Sequence, residues 1–219
     1  MICGAIFDID GVLLDSMTIW RDLGSRYLKR HNIQPKDGLD KILFSMSMEQ
    51  GAEYLKNEYC NNFDAEDILD EIKDMLKEFY YYEVEPKDNA AGLLKFLKDR
   101  KIPIAAATSS PRGHVEKALE RTKLLPFIEK IFTTSEIGES KHSPLIYNTA
   151  AAYLGTTPDK TFVFEDSLYA LKTAADAGYC AVGVYDRYGE SDKDGVRTYG
   201  RAYLKNFDDF DMIVAYMTN

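Results

Sequence analysis

The stretch Ile2-Cys3-Gly4-Ala5-Ile6-Phe7-Asp8-Ile9-Asp10-Gly11-Val12-Leu13-Leu14 decides how this chain is organised. Ile2 to Ile9 is a short apolar run rich in β-forming residues. Asp8, Asp10 and Gly11 close it with the polar and turn-forming residues that lead a buried strand into a loop. The next candidate strand comes only after Lys101, and the pattern between is helical. Ile19, Trp20, Leu23, Tyr27 and Leu28 share one helical face. Lys29, Arg30 and His31 suit the last turn of a helix over Ser16 to His31, and Asn32 can stop it. Ser47 and Gln50 form a capping-box pattern that opens a second helix toward Glu58. Asp64 can cap a third, whose apolar stripe is Ile68, Leu69, Ile72, Met75, Leu76 and Phe79.

From Asn89 onward helices alternate with strands, at Ile102 to Ala107, Lys130 to Phe132, Thr161 to Phe164, Cys180 to Val184 and Ala202 to Leu204. A helix from Phe207 to Met217 closes the chain. This alternation predicts an α/β fold with a parallel sheet flanked by helices. The first strand belongs with it although roughly seventy helical residues intervene. The expected organisation is a discontinuous α/β core, residues 1–14 and 84–219, carrying an all-helical insertion at 15–83. Tyr185 to Gly200, rich in Gly, Asp and Arg, reads as a long polar loop.

Acidic residues outnumber basic ones 36 to 27, giving a formal charge of -9, so the whole-molecule field repels nucleic acid and anionic lipid. Cys3, Cys60 and Cys180 are far apart and form no C-x-x-C spacing, which suggests neither a disulfide framework nor a zinc site and fits a reducing compartment. No basic leader precedes the first apolar run, and no run approaches the ~18 apolar residues of a membrane span. The expectation is a soluble, cytoplasmic monomer with no nucleic-acid or membrane partner.

In open parallel sheets ligands bind at the carboxyl ends of the strands. Strand one delivers Asp8 and Asp10 there, and the strand at Ile102 delivers Thr108, Ser109 and Ser110. Lys141 follows the strand at Lys130, and the strand at Thr161 delivers Glu165 and Asp166. Unit charges ~4 Å apart repel by ~4 kcal/mol at an effective dielectric of ~20, a cost that a hard cation removes. Oxygen ligands without His or Cys favour Mg2+. Thr108 and Ser109 ahead of a helix N-terminus form an anion cradle, and Lys141 adds a point charge. Carboxylates, a cation, an ammonium and a hydroxyl cradle together describe a phosphoryl-transfer site.

Four motifs, Phe7-Asp8-Ile9-Asp10-Gly11-Val12-Leu13-Leu14-Asp15-Ser16, Thr108-Ser109-Ser110, Lys141 and Phe164-Glu165-Asp166-Ser167, resemble those of the haloacid dehalogenase superfamily. Within it the chain is similar to the branch of β-phosphoglucomutase and small sugar-phosphate phosphatases. The resemblance covers essentially the whole chain and implies a Rossmann-like core with the helical insertion as a cap domain. It further implies Asp8 as the nucleophile that forms an aspartyl-phosphate and Asp10 as general acid and base. Mg2+ would be held by the Asp8 carboxylate, the Asp10 backbone carbonyl and Asp166, with Glu165 bound directly or through water. Thr108 and the Ser109 backbone would bind phosphoryl oxygens, Lys141 would neutralise charge, and the substrate would be a small phosphorylated metabolite. Asp10 points to phosphate esters, because a halide leaving group needs no proton.

Several positions depart from the mutase pattern. Trp20 stands where that pattern has a histidine, and Met48 where it has an arginine for a distal phosphate, which favours a phosphatase. Lys141-His142-Ser143-Pro144-Leu145 lacks the usual aspartate, Ala170 replaces a common glycine, and Asp88-Asn89 replaces Pro-Gly. A phosphomutase on the same scaffold is the alternative, and a non-enzymatic phosphorelay receiver a more distant one. Ser110 reads as a helix-cap residue. Trp20, Tyr80, Tyr81 and Tyr82 read as packing, and Arg112 as either substrate contact or surface.

Overall fold

The computed structural model describes residues 1–43, 46–188, 193–208 and 213. Strand β1 (Gly4–Phe7) is wholly buried. A helical segment follows, with α1 (Met17–Arg30), α2 (Leu39–Leu43), α3 (Met48–Tyr59) and α4 (Ala65–Glu78), the last running into a π-helical turn at Phe79–Glu83. Then come α5 (Ala90–Asp99), β2 (Ile104–Thr108), α6 (Arg112–Arg121), β3 (Lys130–Thr133), α7 (Thr134–Ile137), α8 (Leu145–Tyr153), β4 (Thr161–Glu165), α9 (Leu168–Asp176), β5 (Cys180–Val184), α10 (Lys193–Tyr199) and β6 (Ala202–Leu204). Two compact units result, Met1–Asp15 with Val84–Asn219, and Ser16–Glu83.

The six strands are parallel in the order β3-β2-β1-β4-β5-β6. The order reverses between β1 and β4, and a doubly wound sheet opens its ligand crevice where that happens. Strands β2, β4 and β5 are also buried along their whole length, as a sheet covered on both faces requires. Ile6, Ala105, Ala107, Val163 and Ala181 pack with Ile146, Tyr147, Ala150, Leu171 and Ala174 in one core cluster. The alanines on β2 let α8 approach closely, while Phe7 and Phe164 stack with centroids 4.1 Å apart. Burying each such aromatic or branched side chain contributes ~1.5–3 kcal/mol. Gly183 has a packing reason: a Cβ there would lie 2.5 Å from Val196 Cγ1 and 3.0 Å from its carbonyl oxygen.

In the helical unit the capping box at Ser47 is formed in both directions, Gln50 N donating to Ser47 Oγ at 3.2 Å and Ser47 N to Gln50 Oε1 at 3.0 Å. Asp64 stands at the N-cap of α4 but makes no capping hydrogen bond. Its carboxylate lies 3.6 Å from Lys56 instead. Trp20 Nε1 donates to the buried Tyr80 hydroxyl at 3.2 Å, a packing role, whereas Tyr82 is mostly exposed.

The polar segment expected to be a loop over Tyr185 to Gly200 contains α10, whose Val196 is anchored in the core cluster. Apart from Phe207, Asp208 and Ile213, the closing helix expected over Phe207 to Met217 lies outside the described residues. Asn89, where Pro-Gly is usual, sits at φ 57, and asparagine tolerates that left-handed conformation better than other side chains.

Candidate active site

The chain leaves β1 into a tight turn. Leu13 and Leu14 both donate backbone N–H bonds to the Ile9 carbonyl at 2.9 Å, and Gly11 N donates to Leu14 O at 3.0 Å. Gly11 takes φ 72, a conformation that costs glycine nothing. Asp15 N to Glu85 O and Lys87 N to Leu13 O, both 2.9 Å, lace this turn to the returning chain. Asp8 and Asp10 are thus presented from a stiff loop at the head of the central strand.

Asp8 is buried, and its Oδ1 accepts from Ile9 N at 2.8 Å and from Lys141 Nζ at 2.7 Å. Lys141, on the loop between α7 and α8, is 2% exposed and donates also to Glu165 Oε1 at 2.8 Å. Glu165 is the last residue of β4, and Asp166 follows it. Ligand oxygens of Asp8, Glu165 and Asp166 all lie within 4.8 Å of one another. Three carboxylates against one ammonium leave an excess of two negative charges, the charge of one divalent cation.

That charge density moves the titrations. Burial, then the Glu165 charge, push Asp8 well above the usual carboxylate range, against the pull of Lys141. Burial, then Glu165 and Asp186, push Asp166 up to about 8. Burial opposes the charge on Lys141, but Asp8 and Glu165 outweigh it and hold the ammonium protonated above its ordinary range.

Glu165 carries the sharpest test of whether a metal fits. Its side chain is fully buried and its Oε1 accepts from Lys141 and from the Tyr147 hydroxyl, yet its Oε2 is buried with no hydrogen-bond partner. An unsatisfied buried carboxylate oxygen costs stability, and a cation removes that cost. The donors are all oxygen, which suits a hard divalent ion. Asp8, Glu165 and Asp166 are therefore the side chains that fit a hard divalent cation.

The Asp10 carboxylate is not one of those three ligands, although its charge reaches Asp8. Its Oδ2 accepts from Ser110 Oγ at 2.6 Å and lies 3.5 Å from Thr108 Oγ1. Thr108 ends β2 fully buried and accepts from Ser110 N at 3.0 Å, while Ser109 is exposed and α6 begins just beyond. Ser110, read from sequence as a cap, thus contacts Asp10, and Tyr147, which the sequence reading did not single out, contacts Glu165. Arg112 is partly exposed. It ion-pairs with Glu136 at 2.5 Å and Glu116 at 2.9 Å, and donates to Ile131 O at 2.8 Å.

The haloacid dehalogenase-like hydrolase family model matches residues 5–184, which is most of the chain and contains every one of these side chains. The chain belongs to that family. It is 29% identical over 187 residues to a validoxylamine A 7'-phosphate phosphatase of Streptomyces hygroscopicus subsp. limoneus, covering 82% of this chain and 84% of that one. It is 28% identical over 186 residues to hexitol phosphatase A of Escherichia coli K12, with 83% and 82% covered. In fold it is similar to a crystallised Thermotoga maritima protein assigned as a β-phosphoglucomutase, at a TM-score of 0.84 and 21% identity, with 98% and 99% covered. Among the described residues of this hydrolase no helix is long and apolar enough to cross a membrane.

Proposed function

We propose that this chain is a Mg2+-dependent phosphatase that hydrolyses a small phosphorylated metabolite of the sugar-phosphate class through an aspartyl-phosphate at Asp8. The observation that carries the reading is the pairing of two differently prepared carboxylates. Asp8 is gripped by Lys141 beside Glu165 and Asp166, whereas Asp10 is held by the hydroxyl of Ser110. Asp8 Oδ1 accepts from Lys141 Nζ and Ile9 N, which hold the carboxylate in place for attack.

The Asp8 carboxylate forms a bond to phosphorus as the ester P–O bond breaks, and the Asp10 carboxyl gives a proton to the departing alkoxide. Water then attacks the phosphorus of the acyl phosphate and loses a proton to Asp10. Inorganic phosphate departs and the Asp8 carboxylate is restored. Thr108 and the Ser109 backbone bind phosphoryl oxygens, and Lys141 neutralises charge on Asp8 and the phosphoryl group. Asp8, Glu165 and Asp166, with the Asp10 carbonyl, would hold Mg2+, which would supply charge neutralisation during transfer. The unit Ser16–Glu83 is the cap domain in this reading, and the chain acts as a monomer in the cytoplasm.

Trp20 and Met48, in place of the mutase's histidine and arginine, favour hydrolysis over isomerisation. A panel of sugar phosphates, polyol phosphates and nucleotides, assayed for inorganic phosphate with Mg2+ and with EDTA, tests the proposal. Metal-dependent release from at least one sugar or polyol phosphate is expected. Release from none, or conversion of a sugar 1-phosphate to its 6-phosphate without free phosphate, would contradict it.

A further inference from the structure

Tyr147 is the third residue of α8, six positions after Lys141, and its side chain is fully buried. Most of its ring serves the core cluster. Its hydroxyl does something else: it donates to Glu165 Oε1 at 2.7 Å, the same oxygen that Lys141 reaches at 2.8 Å. Two donors on one oxygen fix the carboxylate plane and leave Oε2 buried and unpaired. A carboxylate held by Lys141 alone would be free to turn about that single contact and offer either oxygen.

We propose that Tyr147 is a positioning residue for the divalent cation: its hydroxyl, with Lys141, saturates Oε1 of Glu165 so that Oε2 is committed to the metal. The inference rests on the reading that Asp8, Glu165 and Asp166 hold the ion. Partners that orient a metal-binding carboxylate typically contribute tenfold to a hundredfold in metal affinity. Tyr179 provides the matched control. It rings edge-on to Tyr147 at 6.1 Å, and its hydroxyl donates to Asn148 at 2.8 Å rather than to the carboxylates.

The experiment titrates the purified full chain with Mg2+ by calorimetry and with Mn2+ by electron paramagnetic resonance, without substrate, alongside melting curves in EDTA. Tyr147→Phe should weaken both ions by roughly tenfold or more, while Tyr179→Phe leaves affinity unchanged. In a Glu165→Gln background, where the oriented carboxylate is gone, adding Tyr147→Phe should change Mn2+ affinity little further. Tyr147→Phe binding metal as tightly as the wild type would overturn this inference alone, as would an undiminished effect in the Glu165→Gln background. A wild-type chain that takes up neither ion would overturn both this inference and the metal-dependent function.

Discussion

Removing the metal should make stability depend on pH in a direction set by Asp166. In the folded, metal-free chain its carboxyl titrates at about 8, raised by burial and by Glu165 and Asp186, whereas in the unfolded chain it titrates near its ordinary value of 3.8. Between those values the folded state holds a proton that the unfolded state has lost. Folding stability therefore falls as pH rises through that window and levels off above it. The slope for one retained proton is ~1.4 kcal/mol per pH unit. From pH 6 to 8, with the proton partly lost near the top, this amounts to roughly 2 kcal/mol. In a chain of 219 residues that corresponds to a melting temperature lower by roughly 4–8 °C. Asp8 is shifted in the same direction and adds to the fall. Lys141, held protonated beyond this range, contributes a constant. A bound divalent cation keeps the carboxylates ionised, so the Mg2+ curve should be nearly flat and its advantage over EDTA should widen with pH. Scanning fluorimetry from pH 5 to 9 in both conditions measures this, and Asp166→Asn should flatten the EDTA curve. An EDTA melting temperature that stays level or rises from pH 6 to 8, or a Mg2+ advantage that does not change with pH, would refute the reasoning.

Two further perturbations bear on other contacts. Lys87 Nζ lies 2.6 Å from Asp186, whose side chain is fully buried, so Lys87→Met should cost about 3–5 kcal/mol by urea denaturation, and adding Asp186→Asn should recover much of the loss. A double variant as unstable as Lys87→Met alone would count against the ion pair as the cause. Ser110→Ala removes the 2.6 Å donor to Asp10 and should lower turnover about tenfold, ~1.4 kcal/mol in the barrier. Unchanged turnover would detach Ser110 from Asp10's work.

The sheet and the chemistry at its edge were legible because both depend on local signals. A buried parallel strand needs a continuous apolar run, and its ligand-facing end is where Asp8, Thr108, Glu165 and Asp166 stand in sequence. The contacts of Ser110 with Asp10 and of Tyr147 with Glu165 left no trace in the sequence, because the partners lie 100 and 18 residues away. The Lys87–Asp186 pair spans 99 positions and leaves no periodic trace. Helix α10 was missed because one buried anchor, Val196 against Gly183, replaces the apolar stripe that normally marks a helix. Asn89 shows the converse: a departure from the family's usual residues leaves the backbone free to take the left-handed conformation there.

The central claim is that Asp8 becomes phosphorylated during turnover. Mixing the enzyme with Mg2+ and a substrate found in the panel, quenching in acid within milliseconds and mapping the peptides by mass spectrometry tests it directly. One phosphoryl group on the peptide bearing Asp8, lost on hydroxylamine treatment and absent in Asp8→Asn, is the expected result. A turning-over enzyme with that peptide unmodified at every quench time, or an Asp8→Asn variant that still releases phosphate at the wild-type rate, would contradict the account.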